Sequence, residues 1–126
     1  MKTILLVDDE FALTDTLKEF LEDEGYSAEC AGNGKEALES MAKHPPDLVV
    51  SDMMMPIMDG YSMLHAIRAT PALKAIPVVL TSSVSRQVVL SRDALLEFAG
   101  FLRKPFKLDE FLGLVVKLIG PGAKSG

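Results

Sequence analysis

The sequence predicts an α/β fold: a doubly wound five-stranded parallel sheet with helices on both faces and strand order 2-1-3-4-5. Short apolar runs of strand length alternate five times with segments of helical periodicity, which is the pattern of consecutive βα units. The first, third and fourth runs are apolar throughout, as strands buried on both faces are, whereas the second alternates as an edge strand does. This order makes the first and third strands neighbours, and the crevice at their carboxyl ends is the expected ligand site.

Local signals place the elements in chain order. Strands are predicted at residues 4–7, 26–30, 48–50, 78–80 and 101–102. Apolar residues recur at helical spacing over residues 13–21, 37–41, 63–67 and 108–119, and a less regular apolar segment covers residues 88–98. Gly25 is a C-terminal stop for the first helix. Asn33, with Glu36 three residues later, is a start for the second helix, which Pro45 and Pro46 end.

Length, composition and charge limit the class of protein. The 126 residues fit one domain, predicted at residues 1–119, with residues 120–126 as a flexible C-terminal tail or linker. A net charge of −5 argues against a nucleic-acid-binding face. Cys30 is the single cysteine, so no internal disulfide forms, and the first apolar run is too short for a signal peptide or a membrane span. The expected location is the cytoplasm, without membrane association.

Three carboxylates are predicted to meet at the carboxyl edge of the sheet. Asp8 and Asp9 end the first strand and Asp52 ends the third, so all three open into the crevice. Their repulsion would leave at least one of them protonated at neutral pH unless a cation binds, and Mg²⁺, which prefers oxygen ligands, removes the conflict. The alternative is that these acids are ordinary loop residues or helix caps. This alternative is less favoured because Asp52 is predicted at the same edge as Asp8 and Asp9.

Two further side chains are predicted at the same edge. Lys104 ends the fifth strand and brings a compact positive charge that can hold an anion, or a carboxylate while no anion is bound. Ser82 ends the fourth strand and can donate a hydrogen bond to a phosphoryl oxygen, although helix caps use the same residue type. Thr81 is the neighbouring candidate, but strand alternation predicts that it points to the other face.

An acid pair, a lone aspartate, a hydroxyl and a Lys-Pro pair thus each stand at the end of a strand. In this arrangement the sequence resembles the receiver domains of response regulators, and the predicted topology is flavodoxin-like. The resemblance covers residues 2–119. It rests on residues 6–10 (LVDDE), 52–60 (DMMMPIMDG), 76–82 (IPVVLTS) and 104–106 (KPF), and on their spacing.

The resemblance implies a role for each polar position. It implies that Asp52 is the phosphoacceptor. Asp9 and Asp52 are implied to bind Mg²⁺ directly together with the backbone carbonyl of Met54, while Asp8 acts mostly through a metal-bound water. Mn²⁺ is an expected substitute for Mg²⁺. Lys104 is implied to hold the phosphoryl group.

Other positions of the family pattern imply how the signal is passed on and how long it lasts. Ser82 matches the switch hydroxyl, Phe101 matches the aromatic residue that moves inward on activation, and the bond before Pro105 resembles the family's cis peptide. In this family the side chains at the positions of Met54 and Val84 flank the path of the water that attacks the aspartyl phosphate. Because neither side chain can orient water by a hydrogen bond, slow dephosphorylation is expected.

The function implied by the resemblance is a phosphorylation switch. A sensor kinase or a histidine phosphotransfer protein donates the phosphoryl group from a phosphohistidine. The surface of the fourth helix, fifth strand and fifth helix then changes and passes the signal to an output domain or protein that the sequence does not identify. A phosphorylation-dependent dimer is a further expectation. Phe11, Pro105 and Phe106 are expected on the face where the donor docks.

Three other classes of protein are alternatives to a phosphorylatable receiver domain, and each would be expected to have different residues at these positions. A Mg²⁺-dependent phosphatase that forms an aspartyl phosphate usually has a second aspartate two residues after the nucleophile, where this chain has Met54. A flavodoxin-like cofactor binder needs a phosphate loop after the first strand, where Asp8, Asp9 and Glu10 would repel a phosphate. A degenerate receiver would lack a required side chain, and none is missing. The expectation is a signalling domain and not an enzyme that turns over an external substrate.

Overall fold

The computed structural model describes residues 1–93 and 97–123, in which five strands alternate with five helices. The strands are β1 (Thr3–Val7), β2 (Ser27–Ala31), β3 (Leu48–Asp52), β4 (Val78–Ser82) and β5 (Gly100–Arg103). The helices are α1 (Phe11–Asp23), α2 (Gly34–Lys43), α3 (Gly60–Ala69), α4 (Arg86–Arg92) and α5 (Leu108–Ile119). All strand pairs are parallel, and the sheet order is β2-β1-β3-β4-β5. Fold class and strand order are confirmed.

The sheet separates two apolar layers. One layer packs the sheet against α2, α3 and α4, and Met41, Met63 and Ile67 are fully buried in it. The other packs the opposite face against α1 and α5 and contains the fully buried Leu21 and Phe111. Because β1, β3 and β4 supply apolar residues to both layers, each of them contains an uninterrupted apolar run. Removal of this surface from water holds helices and sheet together.

Three helices begin at a side chain that accepts a hydrogen bond from the first turn. Asn33 Oδ1 accepts from the Glu36 amide at 2.9 Å, which confirms the predicted start of α2. Asp59 accepts from the Ser62 amide at the start of α3, and Ser85 caps α4 in the same way. Since each helix leaves the carboxyl edge of the sheet, these caps fix the ends of the loops that surround the polar site.

The edge strand β2 departs from strict alternation at its last two residues, Cys30 and Ala31, the second of which is buried. Tyr26 and Ala28 are buried, but Cys30, which continues the same spacing, is exposed. Its sulfur lies 3.8 Å from the Thr14 carbonyl oxygen of α1. Because β2 has a neighbouring strand on one side only, the layer above it covers the carboxyl end of the strand incompletely.

The residues after α5 lie against the amino edge of the sheet, and we call residues 120–123 the C-terminal strap. The Tyr26 hydroxyl donates a hydrogen bond to the Gly120 carbonyl at 2.6 Å, and the Lys2 ammonium donates to the Pro121 carbonyl at 2.9 Å. The Ala123 amide donates to a carbonyl in the turn between α1 and β2, also at 2.9 Å. Residues 124–126 lie outside the described part of the chain, and the domain boundary after residue 119 stays a prediction.

The helices are short, and α4, at seven residues, is the shortest of those described. It covers only the first part of the apolar segment predicted at residues 88–98. Leu95 and Leu96 of that segment lie outside the described residues. Across the described ranges, no helix combines the length and the apolar character needed to cross a membrane.

Candidate functional site

The candidate site lies at the carboxyl edge of the sheet, where β1 and β3 are neighbours. Asp8 directly follows β1 and Asp52 is the last residue of β3, so parallel pairing brings both acids to the same edge. One carboxylate oxygen from each of Asp8, Asp9 and Asp52 lies within 4.8 Å of the other two. Asp8 and Asp52 are only 4% and 7% exposed, whereas Asp9 is exposed to solvent. The structure therefore brings together the three carboxylates that the sequence places at strand ends.

Backbone groups orient the Asp52 carboxylate. The Met53 amide donates a hydrogen bond to Asp52 Oδ1 at 2.9 Å, and the Met54 amide is a second donor to this carboxylate. Helix α3 starts so close behind it that a Cβ at Gly60 would lie 2.7 Å from the Asp52 carbonyl oxygen. Only glycine allows this approach, so the start of α3 fixes the backbone that holds Asp52.

The electrostatics of the site favour a bound cation. Burial raises the pKa of Asp52 above its usual value and the charge of Asp8 raises it further, while Lys104 and the two amides lower it by less. The remaining repulsion would be relieved by a divalent ion. Three clustered carboxylates are the hard oxygen donors that Mg²⁺ prefers, so the residues present fit a magnesium site.

Lys104 places a cation against two of these carboxylates, those of Asp8 and Asp52. Its ammonium nitrogen lies 2.7 Å from Asp8 Oδ2 and 3.6 Å from Asp52 Oδ2. Burial lowers the pKa of Lys104, but the hydrogen bond to Asp8 and the charges of Asp52, Asp8 and Glu10 outweigh burial and raise it above its usual value. Lys104 is therefore charged at neutral pH. The peptide bond from Lys104 to Pro105 is cis, as the family resemblance predicts.

Glu10 also belongs to the site, a role that its place in the sequence did not predict. Its Oε1 lies 3.3 Å from the Lys104 ammonium nitrogen, and its backbone amide donates to Asp8 Oδ1 at 2.9 Å. Glu10 is the N-cap of α1 but makes no side-chain cap, which leaves its carboxylate able to turn toward Lys104. The available signal was a third acid directly after the acid pair, at a capping position where glutamate is not favoured.

The structure distinguishes the two hydroxyls at the end of β4. Ser82 is 1% exposed, and its Oγ accepts a hydrogen bond from the Val84 amide at 3.1 Å. Its carbonyl accepts from the Lys104 amide at 2.8 Å, so Ser82 and Lys104 are tied together through the backbone. Thr81 is also buried, but it lines a small cavity with Phe106 on the side of α1 and α5.

Phe101 lies on β5 and is half-buried against the apolar layer beneath α3 and α4. Its ring centroid is 6.3 Å from that of Phe98, and the Arg86 guanidinium lies 5.1 Å above the Phe98 ring. These contacts join β5 to the start of α4. A movement of Phe101 would therefore disturb the packing of Phe98 against the first residue of α4.

Large apolar side chains are exposed on the segments that follow β1, β3 and β4 at the acidic edge of the sheet. The exposed fractions are 67% for Phe11, 60% for Met54, 80% for Ile57 and 41% for Val84. Beside them, an open cleft of about 540 Å³ lies between the start of α1 and the loop from β5 to α5. A site that contacts another macromolecule would present exposed apolar side chains of this kind.

Comparison with known sequences gives the same family as the residues of the site. The family described as "Response regulator receiver domain" matches residues 4–116. The chain is 35% identical to "Response regulator Rre1" of Synechocystis and 37% identical to "Response regulator MprA" of Mycobacterium leprae, each over 118 residues. These alignments cover 93% and 92% of this chain, but 51% and 50% of the relatives. The chain therefore spans about half the length of these curated relatives.

Solved structures agree with this assignment. The chemotaxis response regulator CheY4 of Vibrio cholerae matches with a TM-score of 0.87 and 28% identity, covering 94% of this chain and 99% of that one. The receiver domain of HemR from Leptospira biflexa matches with a TM-score of 0.83 and 32% identity over the full length of both chains. The fold and the site define a signalling domain of two-component systems. The chain belongs to the response regulator receiver domain family, which confirms the resemblance drawn from the sequence.

Proposed function

We propose that this domain is a phosphorylation switch in which Asp52 takes a phosphoryl group from a phosphohistidine of a sensor kinase or a histidine phosphotransfer protein. One observation carries the proposal. The buried Asp52 carboxylate lies 3.6 Å from the Lys104 ammonium and within 4.8 Å of two other carboxylates, at one edge of the sheet. A carboxylate nucleophile beside a fixed cation is suited to phosphoryl transfer, where catalysis is mostly positioning and charge stabilisation.

In the transfer step, a carboxylate oxygen of Asp52 attacks phosphorus in line with the leaving imidazole nitrogen. The P–O bond to Asp52 forms as the P–N bond of the phosphohistidine breaks, and the electron pair of that bond stays on the imidazole, which then takes a proton from solvent. The product is an acyl phosphate. The Met53 and Met54 amides hold the carboxylate in place, and Lys104 exchanges its contact with Asp8 for one with a phosphoryl oxygen.

The residues that would bind Mg²⁺ directly are Asp9, Asp52 and the backbone carbonyl of Met54, with Asp8 acting mostly through a water. When bound, the ion supplies positive charge that offsets the carboxylates and the phosphoryl oxygens, and Mn²⁺ is the expected substitute because it also prefers oxygen ligands. Without a cation, the clustered carboxylates would repel an incoming phosphoryl group. We therefore expect phosphorylation to depend on the divalent ion.

The position of Ser82 supports its role as the switch hydroxyl. On phosphorylation the Ser82 side chain would turn from the Val84 amide toward a phosphoryl oxygen and draw the loop after β4 toward Asp52. Phe101 would then move inward, and the surface of α4, β5 and α5 would change. This is a two-state switch biased by a local charge. The changed surface would contact an output domain or protein, or a second copy of the chain in a phosphorylation-dependent dimer.

Met54 and Val84 are proposed to set the lifetime of the phosphorylated state. Both side chains are exposed at the rim of the site, and neither can hold a water molecule by a hydrogen bond. We infer that they crowd the path of the attacking water, so that spontaneous dephosphorylation is slow compared with receivers that have polar residues there. Met54 also stands where aspartyl-phosphate phosphatases have their general acid, so turnover of an external substrate is not expected.

The donor is proposed to dock on the apolar surface beside the site. Phe11 is 67% exposed at the start of α1, and Pro105 lines the adjoining cleft. Phe106 lines the same cleft but also packs inward, with its ring centroid 5.9 Å from that of Phe111. We therefore assign the docking contact to Phe11 and Pro105, and a partly structural role to Phe106. The net charge of −5 favours a protein partner over nucleic acid.

The proposal is tested by incubating the purified protein with Mg²⁺ and acetyl phosphate and measuring its mass. We expect a gain of one phosphoryl group, located on Asp52 by peptide mapping after reduction of the acyl phosphate with borohydride. The gain should disappear when the divalent ion is removed with a chelator. Incorporation at another residue, or none in the presence of Mg²⁺, would contradict the proposed function.

A further inference from the structure

The seven methionines differ widely in their access to solvent. Met41, Met53 and Met63 are at most 1% exposed, and Met55 and Met58 are half-buried against the same apolar layer. Only two methionine side chains are exposed. They are those of Met1, at 84%, and Met54, at 60%. Apart from the N-terminal residue, Met54 is therefore the methionine most open to a dissolved oxidant.

The backbone brings this exposed side chain to the edge of the acidic site. The Met54 amide donates a hydrogen bond to the Asp52 carboxylate, so the Met54 side chain starts from backbone that contacts the proposed phosphoacceptor. Met53, one residue earlier, is also hydrogen-bonded to Asp52 but is 1% exposed. Two adjacent methionines thus both contact Asp52 through their amides, and of the two only Met54 is exposed to solvent.

We propose that Met54 is an oxidation site, and that its conversion to the sulfoxide by a peroxide shortens the lifetime of the phosphoryl group on Asp52. This inference rests on the proposed function. The sulfur lone pair attacks one peroxide oxygen, the O–O bond breaks, and an S–O bond forms. The sulfur loses two electrons, and the departing oxygen of hydrogen peroxide takes a proton and leaves as water. A thiol-dependent sulfoxide reductase reverses the change by removing the sulfoxide oxygen as water, while two thiols supply the two electrons and become a disulfide.

The effect on lifetime follows from the polarity of the new group. A thioether is a weak hydrogen-bond acceptor, whereas the sulfoxide oxygen is a strong one and makes the side chain polar. Next to Asp52 it can hold a water molecule where the thioether only occupies space. Water held near the acyl phosphate attacks it more often, because positioning is a large part of the barrier. Oxidation would therefore reset the switch faster, without changing the phosphoacceptor.

The first measurement is the order of oxidation. The purified protein is treated with dilute hydrogen peroxide, and each methionine is followed by peptide mass spectrometry. We expect Met1 and Met54 to gain an oxygen first, Met55 and Met58 more slowly, and Met53 last of the residues near the site. Oxidation of Met54 no faster than that of Met55 and Met58 would overturn the proposal.

The second measurement is the phosphoryl lifetime. Oxidised and untreated proteins are phosphorylated with acetyl phosphate and Mg²⁺, freed of donor, and followed for loss of label. We expect a severalfold shorter lifetime after oxidation, and recovery after treatment with a sulfoxide reductase and a thiol. Met54→Leu, which keeps the apolar volume but has no sulfur, still contains Met1 and the other methionines, so peroxide should leave its lifetime unchanged.

The outcomes separate this inference from the proposed function. Full oxidation of Met54 with an unchanged lifetime, or a shortened lifetime in peroxide-treated Met54→Leu, would overturn the inference and leave the proposed function standing. Loss of phosphorylation, instead of faster dephosphorylation, in the oxidised wild type alone would also overturn it. A protein that takes no phosphoryl group before oxidation would refute both.

Discussion

At the scale of single residues, one lysine is shared by three carboxylates. The Lys104 ammonium nitrogen lies 2.7 Å from Asp8, 3.3 Å from Glu10 and 3.6 Å from Asp52. Asp9 adds a fourth carboxylate nearby, so the site has an excess of negative charge. Removing one carboxylate therefore relieves repulsion, whereas removing Lys104 would leave buried charges without compensation.

Asp52→Asn should abolish phosphorylation and leave the fold intact. The amide has the shape of the carboxylate but cannot attack phosphorus. Because burial and Asp8 both disfavour a charged Asp52, the free energy of unfolding without divalent ions at neutral pH should hold or rise, by about 1 kcal/mol at most. The control is Asp47→Asn, which changes the aspartate directly before β3, at the opposite edge of the sheet from Asp52. This variant should be phosphorylated at the normal rate. Labelling of Asp52→Asn at the wild-type rate would contradict the assignment.

Magnesium binding should distinguish Asp9 from its neighbour Glu10. The Asp9 carboxylate is part of the cluster that could hold a metal, whereas the Glu10 carboxylate turns to Lys104. We expect Asp9→Ala to raise the Kd for Mg²⁺ at least about tenfold, and Glu10→Ala to raise it far less. Isothermal titration of the unphosphorylated variants measures both constants. Equal losses would show that the ion binds elsewhere in the acidic cluster.

Ile57 has a backbone conformation that its side chain disfavours. Its φ is 69°, in the left-handed region, where a β-branched residue costs roughly 1–2 kcal/mol, and its side chain is 80% exposed. Ile57→Gly should raise the free energy of unfolding by about 0.5–1 kcal/mol, after the greater freedom of glycine in the unfolded chain is counted. Ile57→Val keeps the conflict and should bring no gain. Urea unfolding compares the two, and equal stability would mean that the turn relaxes.

At the scale of elements, α5 and the C-terminal strap contain two glycines in opposite situations. A Cβ at Gly113, within α5, would meet nothing within 4 Å. A Cβ at Gly122, in the strap, would lie 2.2 Å from the Glu24 carbonyl oxygen, a backbone atom that cannot turn away. Glycine is costly in the first position and required in the second, because only in the strap does another segment approach the backbone this closely.

The same substitution should therefore have opposite effects at these two positions. Gly113→Ala should raise the free energy of unfolding by about 0.5–1 kcal/mol, the difference in helix propensity. Gly122→Ala should lower it by about 1–2 kcal/mol, because the strap must lift and release its hydrogen bonds. Hydrogen exchange at the Ala123 amide, which donates to Gly25, should accelerate in Gly122→Ala only. Unchanged exchange at Ala123 would show that the strap adapts without lifting.

At the scale of the whole molecule, the two edges of the sheet have different tasks. The amino edge carries the strap and the Tyr26 hydrogen bond, which are structural contacts. The carboxyl edge carries the acidic site, Lys104 and the exposed apolar rim. In parallel α/β sheets ligands bind outside the carboxyl ends of the strands, where the winding reverses, and here β1 and β3 meet at that point. The phosphodonor of the proposed function would therefore approach this edge.

Phe11→Ser should therefore slow transfer from a phosphotransfer protein but not from acetyl phosphate. Loss of the exposed Phe11 ring at the interface should reduce the transfer rate about tenfold, corresponding to roughly 1.4 kcal/mol. Val116→Ser removes an exposed apolar side chain near the other end of the molecule, on the last turn of α5, and serves as the control. Equal slowing with both donors would indicate damage to the site instead of lost docking.

Prediction from the sequence succeeded where a local pattern has one structural outcome. The apolar run of β3 and the Asn33 cap of α2 depend only on residues that are close in the sequence. The strand and the helix start could therefore be predicted without knowledge of the tertiary structure. Strand order followed because an alternating strand must lie at an edge. Cys30 was harder, since its exposure depends on how far α1 extends over β2. The role of Glu10 was harder still to predict, because its partner Lys104 is distant in the chain. The direction of the Glu10 side chain depends on where the fold places Lys104.

By itself, the sequence determined the fold class, the strand order and the set of acids, hydroxyl and lysine at strand ends, because parallel strands bring their carboxyl ends to one edge whatever the details of packing. The tertiary structure alone decided how Lys104 is shared among Asp8, Glu10 and Asp52. It also decided which methionine beside Asp52 is exposed and that the strap lies on the amino edge. These features depend on distances of a few ångströms between side chains from different elements, and such distances are set by how the two helix layers pack on the sheet.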